Sequence, residues 1–198
     1  MKKQLAGLLI TLALLMFAIP VYAGVPLDSV KKCVNEVIAL LSDPTLKAES
    51  AKEIKKEKLR VLYKQMFDEI EFSKRTLTRN WNKFSPAQRK EFVDLFEQVL
   101  EKSYADKVLS YTNEKVEFYK ETMLSTNQAE VQSKIITSSK EIPVFYRVIL
   151  KEGKWKVYDV VVENVSLVQN YRTQFNDILA KDNPEKLLEV LRNKVSKH

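Results

Sequence analysis

The sequence has little glycine and almost no histidine, with three Gly and one His among its 198 residues. A loop that cradles a phosphate needs several glycines close together, so this scarcity excludes the glycine-rich nucleotide-binding motifs. His198 is the only histidine, so the chain cannot assemble a Ser-His-Asp triad, a Cys-His pair or a His-rich metal site. Acid–base chemistry that uses carboxylates alone stays open. We expect no cofactor.

Cysteine is equally scarce, because Cys33 is the only one. It cannot form a disulfide within the chain, so a hydrophobic core must hold the fold together, and Cys33 is expected to behave as a small apolar side chain. The net charge of +7 is spread along the sequence. It indicates a solvated surface or, alternatively, attraction to anionic lipid head groups or an acidic partner. No motif indicates a nucleic-acid partner.

The first 23 residues have the layout of a secretory signal peptide. Lys2 and Lys3 precede an apolar run over residues 5–19, Pro20 breaks the run, and Val21-Tyr22-Ala23 forms a cleavage-type site. The alternative is an uncleaved membrane anchor, because the apolar run approaches the span of a bilayer. We expect cleavage after Ala23, a periplasmic location, and a single domain over residues 24–198.

Apolar residues recur with a helical period before residue 111 and again after residue 166. Ser85-Pro86-Ala87-Gln88 predicts a capping box at a helix start, and Ser166 with Gln169 predicts a second one. Before residue 111, helices are predicted over residues 26–41 and 59–70, then a short helix that carries Phe72, Leu77 and Trp81, and then a helix that follows Ser85. After residue 166, helices are predicted over residues 167–179 and from Asn183-Pro184 onward.

Between these helices the periodicity becomes that of strands, predicted over residues 115–121, 129–137, 144–150 and 155–163. The links are short, and Gly153 supplies a hairpin turn. Four consecutive strands of this kind predict an antiparallel meander. The whole pattern predicts an α+β domain in which a four-stranded antiparallel meander packs against N-terminal and C-terminal helices.

The last predicted strand is apolar on both of its faces. One face carries Trp155, Val157, Val161 and Val165, and the other carries Tyr158, Val160 and Val162. A sheet with one face in water alternates more cleanly than this. The second face therefore lies against either more protein or a bound apolar molecule.

Asp159 lies in the middle of this strand and allows two interpretations. Burial could raise its pKa and make it the general base of a small α+β enzyme, or it could be a buried carboxylate paired with Arg147 on a neighbouring strand. A third interpretation of the chain is a periplasmic interaction protein with a fully packed interior and no ligand.

Three segments resemble the MlaC family of periplasmic phospholipid-binding proteins in their order and spacing. The segments are FDEIEFSKRTLTRNW, SPAQRKEFVDLFEQVLEKSY and GKWKVYDVVVENVSLVQNYRTQF. The third is the most specific, since its tryptophan, Tyr-Asp pair, Val-Ser pair and NYRxQF ending all match. The chain departs from the family at Thr78 and Asn164, where the family often has glycine. Asn tolerates positive φ better than most residues do.

The resemblance implies a carrier of the retrograde lipid-transport and toluene-tolerance systems of Gram-negative bacteria, with no catalytic role. It implies acyl chains held in an apolar cavity between the helices and the sheet. It also implies exchange of phospholipid with an inner-membrane ABC transporter complex and an outer-membrane lipoprotein complex. We expect the protein to be a monomer.

The resemblance and the apolar patterns together give a set of candidate lipid-binding residues. They are Phe92, Phe96, Val99, Leu100, Tyr146, Val148, Tyr158, Val160, Val162, Val165, Val168, Tyr171 and Phe175. On the last strand, Tyr158, Val160 and Val162 are expected to face the lipid, while Trp155 and Val157 belong to the core. From pattern alone, the helical stripes in this set are more typical of ordinary core than of a ligand wall, and only the resemblance favours the lipid site. Tyr171 and Arg172 are candidates for the lipid phosphate or, equally, for a core tyrosine and a surface arginine. The mobile side of the pocket is expected to be the helices between residues 59 and 111. Lipid entry is expected to require displacement of the helix that carries Phe92, Phe96 and Leu100 from the sheet.

Overall fold

The structure of the protein is a computed structural model, which describes residues 25–46, 48–110 and 114–196. The signal peptide predicted for residues 1–23 lies outside the described residues. The helices are α1 Pro26–Ser42, α2 Lys52–Met66, α3 Glu69–Leu77, α4 Pro86–Leu109, α5 Leu167–Leu179 and α6 Pro184–Ser196, with short 3₁₀ turns at Pro44–Leu46, Glu49–Ala51 and Thr78–Lys83. None of the helices in the described ranges has the length and apolar character needed to cross a bilayer.

The strands form one antiparallel sheet in sequence order. They are β1 Lys115–Ser125, β2 Gln128–Ile136, β3 Glu141–Lys151, β4 Lys154–Val162 and β5 Val165–Ser166. The predicted α+β fold with an antiparallel meander is confirmed. The fifth strand was not predicted, because it is only two residues long and pairs with the end of β4 through a tight turn at Glu163 and Asn164.

Local capping explains where two of the long helices begin. Ser85 Oγ accepts from the Gln88 backbone N–H at 3.2 Å, and the Gln88 side chain accepts from the Ser85 N–H at 3.1 Å, which completes the predicted capping box of α4. The second box forms only in part. Ser166 Oγ accepts from the Gln169 N–H at 3.0 Å, but the Gln169 side chain accepts from Arg172 and does not return to Ser166.

Both positions at which the chain departs from the family glycine have positive φ. Asn164 has φ of 66° and Thr78 has φ of 49°. Thr78 also has ψ of −123°, at the junction between α3 and the 3₁₀ turn. A β-branched residue is strained in this backbone conformation, whereas glycine is not.

Two apolar clusters form the core. The helical core contains buried residues of α3, α4, α5 and α6, among them Phe72, Phe92, Phe96, Phe175 and Leu188. The sheet core joins one face of the sheet to α1 and α2, and includes Val30, Met66, Val131 and Val157. The α1–α2 hairpin therefore covers the sheet, while the other helices pack mainly against one another.

Candidate functional site

A cavity of about 840 Å³ lies between the two cores. Its walls are α1, α2, the C-terminal half of α4 and the sheet, and most of its lining is apolar. Volumes of this size are typical of sites that bury a small molecule. The apolar lining comes from Val34, Val37, Ile38, Leu41, Leu59, Leu62, Tyr63, Met66, Phe67, Phe72, Leu100, Tyr104, Val116, Ile135, Ile142, Val144, Tyr146, Val160, Val162, Val165 and Leu167, with smaller contributions from Ala105 and Val108.

One end of the cavity is closed by the sheet core. Ala129, Val148 and Val157 are neighbours on β2, β3 and β4, and each is at most 1% exposed. Val30 of α1 and Met66 of α2 pack over them. We call this region the closed end.

The opposite end carries most of the polar lining. The register of the sheet places the start of β1, the end of β2, the start of β3 and the end of β4 together. Polar residues of these strand ends and of α2 and α4 line the cavity here: Lys56, Arg60, Glu101, Lys107, Ser110, Glu114, Thr137 and Glu163. We call this region the open end. The cavity thus runs from an apolar closed end to a charged open end, which suits an amphipathic ligand.

The tyrosines that line the cavity are neutral at ordinary pH. Burial raises the pKa of Tyr146 to about 12, against a smaller opposing effect of its hydrogen bond to Ser133. Burial also raises the pKa of Tyr104 to about 12. For Tyr63, burial and then the carboxylates of Glu69 and Glu97 raise the pKa far above its ordinary value. The interior therefore offers hydroxyl groups and no phenolate charge to a ligand.

Five of the thirteen candidate residues line the cavity. These are Leu100, Tyr146, Val160, Val162 and Val165. They come from α4, β3, β4 and β5, so the structure gathers side chains that are far apart in the sequence.

Six other candidates lie in the helical core, outside the cavity. Phe92, Phe96, Val99, Val168, Tyr171 and Phe175 are all at most 5% exposed. The ring of Phe96 lies 4.8 Å from that of Tyr171 and 5.2 Å from that of Phe175. Arg172 donates from Nε and Nη2 to the Arg75 backbone oxygen, so its guanidinium caps the end of α3, and it is not among the residues that line this cavity. The aromatic side chains of this set therefore attach α4 to α5.

The two remaining candidates, Val148 and Tyr158, also lie outside the cavity lining. Val148 is fully buried at the closed end. Tyr158 lies at a β-bulge, because Arg147 pairs with Asp159 and Val148 pairs with Val157, which leaves Tyr158 without a partner on β3. The Arg75 guanidinium carbon lies 3.7 Å from the centroid of the Tyr158 ring, and the Tyr158 hydroxyl donates to Gln128.

The bulge explains why β4 is apolar at both alternating sets of positions. Val160 and Val162 face the cavity on one side of the bulge. On the other side, Trp155 and Val157 pack into the same sheet core as Val160. One extra residue shifts the alternation, so a single face of the sheet uses even-numbered residues after the bulge and odd-numbered residues before it.

Asp159 is 2% exposed, and its carboxylate is occupied by hydrogen bonds. Oδ2 accepts from Arg147 at 3.2 Å and from Ser166 Oγ at 2.7 Å, while Oδ1 accepts from the Val168 N–H at 3.0 Å. The carboxylate thus ties β4 to the start of α5. The predicted pairing with Arg147 is present, and Asp159 is absent from the cavity lining.

Sequence reasoning missed the walls formed by α1 and α2. Val37, Ile38 and Leu41 on α1, and Leu59, Leu62 and Tyr63 on α2, line the cavity. The apolar stripe of α2 was recognised in the sequence, but helical periodicity shows only that a face is apolar and carried no signal that the face meets a cavity.

Comparisons with known proteins agree with this architecture. A family model described as "MlaC protein" matches residues 31–193. The Haemophilus influenzae protein described as "Intermembrane phospholipid transport system binding protein MlaC" is 28% identical over 117 residues, which is 57% of this chain and 55% of that protein. The chain thus spans about half the length of this curated relative in the match.

A solved structure has the same fold. It is the phospholipid-binding protein from Ralstonia solanacearum in complex with a phospholipid, which superposes with a TM-score of 0.77 at 23% identity and covers 88% of this chain and 98% of its own. The family model extends over most of the sequence, including every wall of the cavity described above. The chain therefore belongs to the MlaC family.

Proposed function

We propose that the protein is a phospholipid carrier that holds acyl chains in the cavity between the α1–α2 hairpin, α4 and the sheet. The observation that carries this proposal is a large apolar cavity with one closed apolar end and one charged open end. Each methylene buried from water contributes about 0.8 kcal/mol, so free acyl chains need such a site in order to cross an aqueous space. The described functions of the two relatives support the same ligand class.

The cavity volume matches one phospholipid with two acyl chains. A methylene group is about as large as a water molecule in the liquid, roughly 30 Å³, so about 840 Å³ holds roughly 28 methylenes. This corresponds to two chains with about 14 buried carbons each. The chain ends would lie near Met66 and Phe67, and the head group would lie at the open end near Lys56 and Lys107.

We further propose that the protein acts in the periplasm and moves phospholipid between an inner-membrane ABC transporter complex and an outer-membrane lipoprotein complex. The family membership supports this role. Transfer from a bilayer to the cavity exchanges one apolar environment for another, so its net free energy is small. A carrier requires this balance in order to load and unload.

The two alternative functions are less compatible with the structure. A general base needs a free carboxylate oxygen that faces a substrate, whereas both oxygens of Asp159 accept hydrogen bonds within the protein. A packed interaction protein needs a filled interior, whereas this chain encloses about 840 Å³.

The proposal is tested by organic extraction and mass spectrometry of the mature protein purified from the periplasm. We expect phospholipid at about one molecule per chain, with the usual two acyl chains. Protein that was exported, folded and free of phospholipid after purification without detergent would contradict the proposed function.

A further inference from the structure

The α1–α2 hairpin is attached to the rest of the protein at the closed end of the cavity. At the start of α1, the Leu27 N–H donates to Glu121 at 2.7 Å, and Val30 is buried in the sheet core. At the end of α2, Phe67 forms a bridge to Val157, and the Asp68 N–H donates to the Val157 oxygen at 2.9 Å. Both attachments lie beside residues that seal the closed end.

Two ion pairs join the second half of α2 to α4, between the free turn of the hairpin and its attachment at Phe67. Arg60 binds Glu101 with two hydrogen bonds, Nη2–Oε1 at 2.7 Å and Nε–Oε2 at 3.3 Å. One turn later on α2 and one turn earlier on α4, Lys64 Nζ lies 3.3 Å from Glu97 Oε1. The two pairs form a ladder from α2 to α4, and Arg60, Glu97 and Glu101 all line the cavity.

α2 and α4 each pack mainly against other elements and not against each other. α2 packs against α1 and β4, whereas α4 packs against α6 and α3. Phe92 and Phe96 fix α4 within the helical core. The cavity separates α2 from α4, so the ion pairs join a hairpin fixed at one end to a helix fixed along its N-terminal half.

We propose that the α1–α2 hairpin is a flap over the cavity, hinged at Phe67, and that the Arg60–Glu101 and Lys64–Glu97 ion pairs are a latch whose opening controls phospholipid exchange. This inference rests on the proposed carrier function and adds its regulation. It assigns movement to the hairpin, and α4, which was expected from the sequence to move, stays in the helical core. Ion pairs suit a latch because partly exposed pairs are weak and reversible.

Neutralising the latch tests the proposal. Glu97→Gln and Glu101→Gln keep the side-chain shape and remove the charge. The matched control is Glu91→Gln, because Glu91 lies on the same helix, pairs with Arg192 of α6 at 2.6 Å and has an exposure close to that of Glu101. The readout is the rate at which a phospholipid with a fluorescent acyl chain passes from loaded protein to phosphatidylcholine vesicles.

We expect each latch variant to accelerate transfer by up to about fivefold and the double variant to accelerate it further, because exposed pairs have small individual effects. The Glu91→Gln protein should match the unaltered protein. Added salt should also accelerate transfer by the unaltered protein and have little effect on the double variant, since salt screens exposed charges. Equal acceleration by Glu91→Gln, or none by the double variant, would overturn the latch.

Crosslinking provides the opposite perturbation. Arg60→Cys and Glu101→Cys, in a protein that also carries Cys33→Ala, are joined by a short bis-maleimide. We expect the crosslinked protein to retain its phospholipid and to stop exchanging it. The control crosslink joins Glu91→Cys to Arg192→Cys and should leave exchange unchanged. Exchange at the uncrosslinked rate through a verified crosslink between residues 60 and 101 would refute the flap.

Failure of the latch and failure of the carrier function have different signatures. A wild-type protein without extractable phospholipid contradicts the carrier function alone. The latch is then tested by spin labels at Val61→Cys and Gln98→Cys in the Cys33→Ala protein. The distribution of distances between α2 and α4 should broaden toward longer values in the Glu97→Gln, Glu101→Gln double variant, and an unchanged distribution would overturn the latch.

Discussion

Replacing Val160 with tryptophan should shorten the acyl chains that the cavity accepts. Val160 lies on β4, is 9% exposed and lines the cavity. The larger side chain would fill the space of about three methylenes at roughly 30 Å³ each. The cavity would then hold roughly 25 methylenes, fewer than two palmitoyl chains require.

The size of the effect follows from the methylenes left in water. Three of them cost about 2–3 kcal/mol at about 0.8 kcal/mol each, which lowers affinity roughly 50-fold. A didecanoyl phospholipid leaves free space in the cavity and should bind the variant as well as it binds the unaltered protein. The effect is therefore a change in chain-length selectivity.

The assay uses vesicles that contain dipalmitoyl and didecanoyl phosphatidylcholine together. Protein is equilibrated with the vesicles and separated from them, and its bound lipid is measured by mass spectrometry. The ratio of long to short lipid should fall roughly 50-fold for Val160→Trp relative to the unaltered protein. Val61→Trp is the matched control, because Val61 is an exposed valine of α2 that is absent from the cavity lining. An unchanged ratio in a folded Val160→Trp protein would refute the location of the chains.

Three further predictions concern other positions. Thr78→Gly should raise the free energy of unfolding by about 1 kcal/mol, because it relieves a strained positive φ at the cost of a more flexible unfolded chain. Urea unfolding measures this change, and Thr78→Ala, which keeps the Cβ, should show no such gain. Asp159→Asn should lower the free energy of unfolding by about 2–3 kcal/mol, because it weakens hydrogen bonds to a charged carboxylate. The phospholipid content per chain should stay constant, whereas lost turnover of a substrate would favour the enzyme alternative. Burial and then the Glu36 carboxylate raise the pKa of Cys33, so the thiol should alkylate more slowly than free cysteine at pH 8 and faster as the pH rises; a rate equal to that of free cysteine would contradict this environment.

Acyl-chain contacts were the part of the site that sequence patterns described least well. Phe96 and Leu100 lie four residues apart on one stripe of α4, and both were predicted to contact lipid. In the structure, Phe96 packs against Tyr171 and Phe175, whereas Leu100 lines the cavity. Helical periodicity shows that a face is apolar, but only the element opposite that face determines whether the neighbour is protein or a cavity.

The sequence by itself determined the local features of this protein. The capping box of Ser85 and Gln88, the meander and the pairing of Asp159 with Arg147 follow from residues that are close in sequence or in adjacent strands, where short-range geometry leaves few alternatives. Tertiary structure decided three other features: the bulge at Tyr158, the placement of the α1–α2 hairpin over the sheet, and its ion pairs to α4. Each of these depends on how separate elements pack, and apolar residues gain similar free energy from any apolar neighbour, so their pattern alone cannot specify which neighbour they have.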